Sequence, residues 1–239
     1  MIFAYADLLQ VSLSLFIIFF GSVVSALLIG ITVHEFSHCL AAFSLGDPTA
    51  RNMGRLTLNP LAHLDPAGTL FMFLAGFGWG KPAPVNPYRL SAGPTTGMAL
   101  VAIAGPISNL LIAATAGLPI RAGVVPWRTP FSVPASTSLW DSADYLGLFL
   151  SSIIIFNILL AVFNLIPLAP LDGFRVAVGV LPRDLSQFLL SIEQYGPGIL
   201  ILLIVLPYVA NSPSIFDVMS PVIDFFAMLF TGVHGSVFG

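Results

Sequence analysis

Long apolar runs separated by short polar stretches dominate this chain, and their lengths carry the first structural message. A membrane-crossing helix needs about 20 apolar residues. Residues 8–45, 97–120, 145–167, 197–209 (extended by 188–192) and 216–233 reach or approach that length. The first run is overlong, which predicts a strong tilt, a protruding end, or a break near Gly21 or Gly30. Residues 66–80 form a shorter apolar stretch punctuated by glycines, too short for a full crossing and suited to a re-entrant helix. Residues 55–59 and 84–90 mix β-favouring residues with Pro and Asn, which predicts short edge strands beside the re-entrant piece, or else polar loops of locally extended character. Strand edges there would suit an extended peptide. Residues 117–140, with Pro119, Pro126, Pro130 and Pro134, read as an external loop. There is no internal repeat, low-complexity tail or charged linker, so the expectation is one membrane domain over residues 1–239, with a core at 8–185 and additional helices at 186–239. The fold class is all-α: a polytopic bundle of about five to six transmembrane segments with a short re-entrant piece and membrane-associated β-strands.

Composition strengthens that picture. Hydrophobic residues make up 57% of the chain and charged residues 8%, and the mean hydropathy is +0.97. An ordinary soluble domain is about 25% charged. With 8 basic and 11 acidic residues and no run of either, the chain offers no surface for nucleic acid. The lone Cys39 excludes an internal disulfide and reads as a small core residue. The N-terminus lacks the basic region and cleavage site of a signal peptide, so its apolar run is expected to be a retained span. If residues 67–80 dip and return, Arg51, Arg55, Lys81, Arg89, Arg175 and Arg183 share one side and only Arg121 and Arg128 lie on the other. The positive-inside rule makes the richer side cytoplasmic, with the N-terminus outside, the C-terminus inside and the chain multi-pass in the cell membrane.

Inside the first apolar run stands His34-Glu35-Phe36-Ser37-His38, and Glu35 is the only acidic or basic side chain in residues 8–45. On a helix, histidines at i and i+4 share a face on which both imidazoles can ligate one Zn²⁺, while Glu35 is near enough to act as general base. A polar kink satisfied by neighbouring helices is the bland alternative, and two His with a Glu in hydrocarbon are costly for that purpose. Catalytic zinc normally takes three protein ligands. His63, Asp65, Asp172 and His234 are the candidates for the third. Asp172 stands out: it follows Pro167 and Pro170, which must interrupt the helix, and Gly173 lets the backbone turn sharply, so the carboxylate can point inward from an unwound segment. Asn164 lies one or two helical turns before Asp172. Asn109 could bind substrate or a developing oxyanion, or serve as interhelical glue after Gly105-Pro106, while Asn157 has no motif support and reads as structural. His63 reads as a solvated or strand-capping loop histidine, and His234 lies in a tail.

These elements together resemble the site-2 protease family of intramembrane zinc metalloproteases. The matching residues are His34-Glu35-x-x-His38, Gly105-Pro-Ile-Ser-Asn109 and Asn164-x-x-Pro167-x-x-Pro-Leu-Asp172-Gly173, and Pro82-Ala-Pro-Val-Asn-Pro87 is similar to that family's membrane-associated strand region. The resemblance implies one Zn²⁺ per chain held by His34, His38 and Asp172, with Glu35 activating water. It also implies a transmembrane-protein substrate cleaved within the lipid bilayer, usually after trimming by another protease, with Asn164 close to the catalytic centre, where its amide could hydrogen-bond substrate backbone or a developing oxyanion. No PDZ-like insertion or CBS-like domain is visible, so a compact member is expected. Two rival readings stay open: a membrane metal transporter, which would carry ionisable residues on several helices at similar depth, and a catalytically silent homologue that binds transmembrane helices. Neither substrate identity nor oligomeric state is written in the sequence.

Overall fold

The computed structural model describes residues 13–75, 78–131, 140–210 and 212–237, and the described part is helical. In chain order the helices are α1 (Leu13–Ser44), α2 (Thr49–Asn52), α3 (Pro60–His63), α4 (Pro66–Ala75), α5 (Pro94–Arg121), α6 (Ser142–Asn164), α7 (Asp172–Val180), α8 (Arg183–Ile192), α9 (Gly196–Ala210) and α10 (Ile215–Thr231). Among the described residues, four stretches are long and apolar enough to cross a membrane: Phe16–Ser44, Pro94–Arg121, Ser142–Asn164 and Arg183–Pro207. The fifth expected crossing, residues 216–233, is α10 with 17 residues, about 26 Å of helix and slightly short of a hydrocarbon core.

Helix α1 runs unbroken for 32 residues, about 48 Å, so neither Gly21 nor Gly30 interrupts it. It contains no proline, and its Ser22 and Ser37 hydroxyls donate to Phe19 O and Val33 O within the helix, leaving the ladder intact. The expected break is replaced by close packing: a Cβ on Gly30 would lie 2.7 Å from Leu160 Cδ1. Helices α1, α5 and α6 pack against one another, α7 docks on α5, and α10 packs on α5 and α6. In lipid such contacts gain from close fit and interhelical hydrogen bonds, because hydrocarbon is as apolar as the side chains themselves. Fully buried Ile154, Ile155, Ile158 and Ile223 fill the seam between α6 and α10, and Phe19, Val23, Leu27 and Leu148 fill that between α1 and α6. A hydrogen bond between Ser22 Oγ and Ser152 Oγ, 3.1 Å, ties the second seam. Helices α8 and α9 are peripheral: only 11% of their most apolar window is buried, against 61% for α6.

The strands expected at residues 55–59 and 84–90 are absent among the described residues, where the sole β feature is an antiparallel bridge between Leu64 and Gly80. Proline explains much of this. Pro82, Pro84 and Pro87 have no N–H for a ladder, and residues 87–89 wind into a 3₁₀ turn capped by the Asn86 side chain. Residues 55–59 lead instead into α3, capped by Asn59. The bridge bears on the short apolar segment. Helix α4 has 10 residues, about 15 Å, and its two flanks meet where Lys81 N donates to His63 O at 2.7 Å, so the segment leaves and returns at one place. Residues 76–77 of that segment, residues 8–12 of the first run and residues 132–139 of the expected external loop lie outside the described residues.

At the C-terminal end of α1, Gly46 (φ +97°) takes the left-handed conformation that stops the helix. The next residue, Asp47, is fully buried and accepts from Asn86 N, Thr49 N and Thr49 Oγ1, pinning the polar segment around residue 86 to the end of α1. Burial raises the Asp47 carboxyl pKa, but these hydrogen bonds and Arg89 outweigh it and hold the group below the usual carboxylate range.

Two outcomes follow. Reporters fused after Arg55 and after Arg89 should emerge on the same side of the membrane; opposite sides would make residues 66–80 a true crossing. Because the folded-state pKa of Asp47 is lowered, its stabilisation is complete above the unfolded value of about 3.9 and is lost as pH falls through the folded value. Asp47→Ala should therefore cost about 1–3 kcal/mol in detergent at neutral pH, with a deficit that shrinks at strongly acidic pH. Thermal unfolding of both proteins across pH measures it, and a pH-independent difference would rule out the charged state as the cause.

Candidate metal centre

His34 and His38 lie one turn apart on α1, with ring centroids 4.6 Å apart and planes at 88°. Both are buried, at 7% and 6% exposure. Asp172 reaches them by a different route from the one expected. Helix α6 ends at Asn164, since Pro167 cannot supply the next ladder donor, and tight turns carry the chain to Leu171. Asp172 is then the first residue of α7, not part of an unwound segment, and a carboxylate at a helix N-terminus is favoured by the exposed N–H groups there. Gly173 is needed for space rather than for an unusual turn: a Cβ would lie 2.2 Å from Leu165 O and 2.5 Å from Ile166 O, so any side chain would push α7, and Asp172 with it, off the end of α6.

The result is a convergence of three acceptors. Asp172 Oδ2 lies 3.0 Å from His34 Nε2 and 3.3 Å from His38 Nε2. These are ion-pair distances, yet Asp172 Oδ2 is buried and receives no hydrogen bond. The other ring nitrogens explain why. His34 Nδ1 is 2.6 Å from Asn109 Oδ1, and His38 Nδ1 is 2.8 Å from Val101 O. A backbone carbonyl only accepts, and Asn109 turns its oxygen to His34, so each neutral ring carries its proton on Nδ1 and presents the Nε2 lone pair to Asp172. Two imidazoliums beside one carboxylate would meet the distances as well, but packing two buried cations together in a membrane-depth site is the more expensive arrangement. Three lone-pair donors of the types zinc prefers, with no proton among them, fit a divalent cation. Atoms each about 2 Å from one tetrahedral zinc are roughly 3.3 Å apart, which matches the measured spacing. Among the described residues, His34, His38 and Asp172 are the group able to hold a metal ion, their ligand atoms all lying within 4.8 Å of one another.

Helix α5 forms the roof. A Cβ on Gly105 would stand 2.5 Å from His38 Nε2 and 2.7 Å from His34 Cε1, so only glycine allows the helix to approach the imidazoles this closely. Glu35, beside His34, has a buried Oε2 that receives no hydrogen bond from the described residues. Its Oε1 faces the Leu64–Gly80 bridge, 3.7 Å from where a Gly80 Cβ would be.

The remaining candidates go elsewhere. His63 is fully buried, not solvated, and its Nε2 donates to Thr57 O at 2.7 Å. Asp65 accepts from Gly68 N at the start of α4, and His234 is exposed. Asn109 uses its amide inside the protein: Oδ1 meets His34, and Nδ2 donates to Gly30 O (3.2 Å) and Asn157 Oδ1 (2.8 Å), which leaves no proton for a substrate. Asn164 Nδ2 donates to Leu160 O in its own helix. The Val101 carbonyl, which orients His38, carries no sequence signal because every residue has one. Asn157, read as structural, joins the hydrogen-bond network behind His34.

Curated proteins similar to this chain include the following three. The "Putative zinc metalloprotease YwhC" of Bacillus subtilis is 39% identical over 184 residues, 77% of this chain and 80% of that protein. The "Putative zinc metalloprotease Rip2" of Mycolicibacterium smegmatis is 27% identical over 191 residues, covering 77% and 67%, and that of Mycobacterium tuberculosis is 27% identical over 196 residues, covering 79% and 68%. No family model matches the chain. No solved structure matches it either. A zinc-type ligand set together with this degree of identity over most of both chains means that the chain belongs to the zinc metalloprotease family represented by YwhC.

Proposed function

We propose that this chain is an intramembrane zinc metalloprotease of the site-2 type, hydrolysing peptide bonds within transmembrane segments of membrane proteins. The observation that carries the reading is the depth of the ligand set. His34 lies 10 residues, about 15 Å, from the end of a helix long enough to cross a bilayer; the roofing helix α5 packs against it, and α7, which carries Asp172, docks on α5. A soluble peptide has no evident reason to be cut there, whereas a membrane-embedded one does.

Zinc, when bound by His34, His38 and Asp172, supplies Lewis acidity toward the scissile carbonyl and toward water. The chain's residues do the rest. Asp172 brings the one negative charge of the ligand set, partly offsetting the cation in a low-dielectric surrounding. Glu35, with an unpartnered oxygen, takes the proton of the attacking water and later delivers it to the leaving amine. Asn164 donates one amide proton to Leu160 O and has a second for the substrate carbonyl or the oxyanion. The substrate helix must unwind locally to expose its backbone, and prior trimming by another protease would shorten what has to enter.

The basic residues support an active site toward the cytoplasmic half of the cell membrane. Arg51, Arg55, Lys81, Arg89, Arg175 and Arg183 all lie on segments joined to the α1 C-terminal end or to α7, while Arg121 and Arg128 sit beyond the other end of α5. A metal-transport reading finds less support. Asp217 caps α10 through Ser214 and Asp224 accepts from Val237 N, so neither ionisable residue of that helix is left to line a path.

Glu35→Gln should lower cleavage of a candidate transmembrane substrate at least a hundredfold while zinc stoichiometry stays at wild-type level, because the residue is a base and not a ligand. Loss of zinc in that variant would refute the assignment. Asp172→Ala should lose both zinc and turnover, whereas Asp65→Ala should keep its zinc. Elemental analysis of the detergent-purified variants distinguishes them, and full zinc in Asp172→Ala would move the third ligand elsewhere.

A further inference from the structure

His34 can offer Nε2 to a metal only while its ring proton stays on Nδ1. We infer that Asn157, a residue that touches no ligand, fixes that proton through Asn109, so that two asparagines on α5 and α6 act as a directional relay setting the tautomer of a zinc ligand on α1. The inference rests on the zinc reading of the site for the identity of the ion, and on geometry for everything else.

An asparagine amide can present either its oxygen or its nitrogen to a neighbour, so what matters is what prevents it from turning round. Both amides here are anchored on backbone carbonyls, which only accept. Asn157 Nδ2 lies 2.8 Å from Ile153 O, so its oxygen must face the other way, toward Asn109. Asn109 Nδ2 lies 2.8 Å from that oxygen and 3.2 Å from Gly30 O, so both amide protons are used and Asn109 Oδ1 is the atom left facing His34 Nδ1 at 2.6 Å. The imidazole must supply the proton in that contact. Reversing Asn109 would set its oxygen against two acceptors and its NH₂ against Nδ1, moving the ring proton onto Nε2 where Asp172 and the metal belong.

Asn109 and Asn157 are both fully buried, so no water competes for these bonds and the relay is not averaged by solvent. Gly30 makes the bridge possible. A Cβ there would lie 3.1 Å from Asn157 Oδ1 and 3.4 Å from Asn109 Nδ2, and its absence lets α1 approach both amides closely enough for its own carbonyl to take part. Ordinary interhelical glue would need no particular amide orientation. This arrangement has one, and each donor in it meets an acceptor.

Asn157 is therefore a positioning residue, and its effect is readable without turnover. Zinc-stripped protein labelled with ¹⁵N-histidine in detergent micelles reports the proton position from the ring-nitrogen shifts, and the chain has only four histidines to assign. Wild type should show His34 protonated on Nδ1. Asn157→Asp, protonated on the oxygen that faces Ile153 O, keeps an acceptor oxygen for Asn109 and should keep that tautomer, with zinc affinity by chelator competition within a few-fold of wild type. Asn157→Leu removes the acceptor, frees Asn109 to turn, and should raise the Nε2-protonated form and weaken zinc about 10–100-fold. An Nε2 proton in wild type, or an unchanged tautomer and affinity in Asn157→Leu, would overturn the relay. Should Asn157→Leu fail to fold, the wild-type and Asn157→Asp spectra decide it alone. A correct tautomer in a protein that bound no zinc would count against the proposed function and leave the relay standing.

Discussion

Three electron-pair donors meeting in a buried place is the constraint around which the rest of the structure is arranged. The Nε2 atoms of His34 and His38 and Oδ2 of Asp172 repel one another unless a cation lies among them, and lipid offers neither water nor counter-ions to relieve that. The protein therefore has to hold them together by force of packing. Glycine at 105 lets α5 press onto the imidazoles, and glycine at 173 seats α7 directly against the end of α6. Behind the rings, Val101 O and the Asn109 amide keep the protons on the far nitrogens. Each device is small, and each would be pointless without the others.

The same constraint separates the elements into a rigid part and an accessory part. Helices α1 and α7 carry the candidate ligands, α5 roofs them, and α6 packs against both α1 and α5, so the ligand geometry rests on well-packed helices. The Leu64–Gly80 bridge sits on the Glu35 side, and α8 and α9 lie at the periphery with most of their apolar surface uncovered. Under the proposed function such a site needs both: fixed ligands, and a flank open enough for water and for a chain to arrive.

Polar residues in the membrane-length helices are accordingly few and nearly all spoken for. Ser22 and Ser152 join α1 to α6, Asn109 and Asn157 join all three central helices, and Arg128 pairs with Asp144 at 2.7 Å near the start of α6. The exceptions among the described residues are instructive. On α1, Thr32 Oγ1 and Glu35 Oε2 are buried without a hydrogen bond, and so is Asp172 Oδ2 at the start of α7; the two carboxylates belong to the candidate metal centre.

How much of this was legible beforehand depends on what kind of physics each feature obeys. The helical membrane class, the short returning segment and the pairing of His34 with His38 follow from local rules, since hydrophobic length and the i, i+4 repeat of a helix need no knowledge of neighbours. The order of Pro167, Pro170 and Asp172 pointed to the carboxylate that the fold brings to the two imidazoles, because proline stops a helix wherever it stands. The two edge strands were misread, as strand propensity is only realised when a partner strand is present, and prolines at 82, 84 and 87 deny one. Gly30 and Gly173 were read as places for the chain to bend, when the structure uses both for contact, and a glycine's spelling does not distinguish the two. His63, read as a solvated or strand-capping histidine and found fully buried, shows the same limit, and so does the direction of the Asn157 amide: burial and hydrogen-bond direction are set by residues far away in the chain. The sequence by itself determined that His34 and His38 share one helix face inside a membrane-length apolar run; only the tertiary structure decided which nitrogen of each imidazole faces Asp172, because that depends on a carbonyl at 101 and an amide at 109 brought in on another helix.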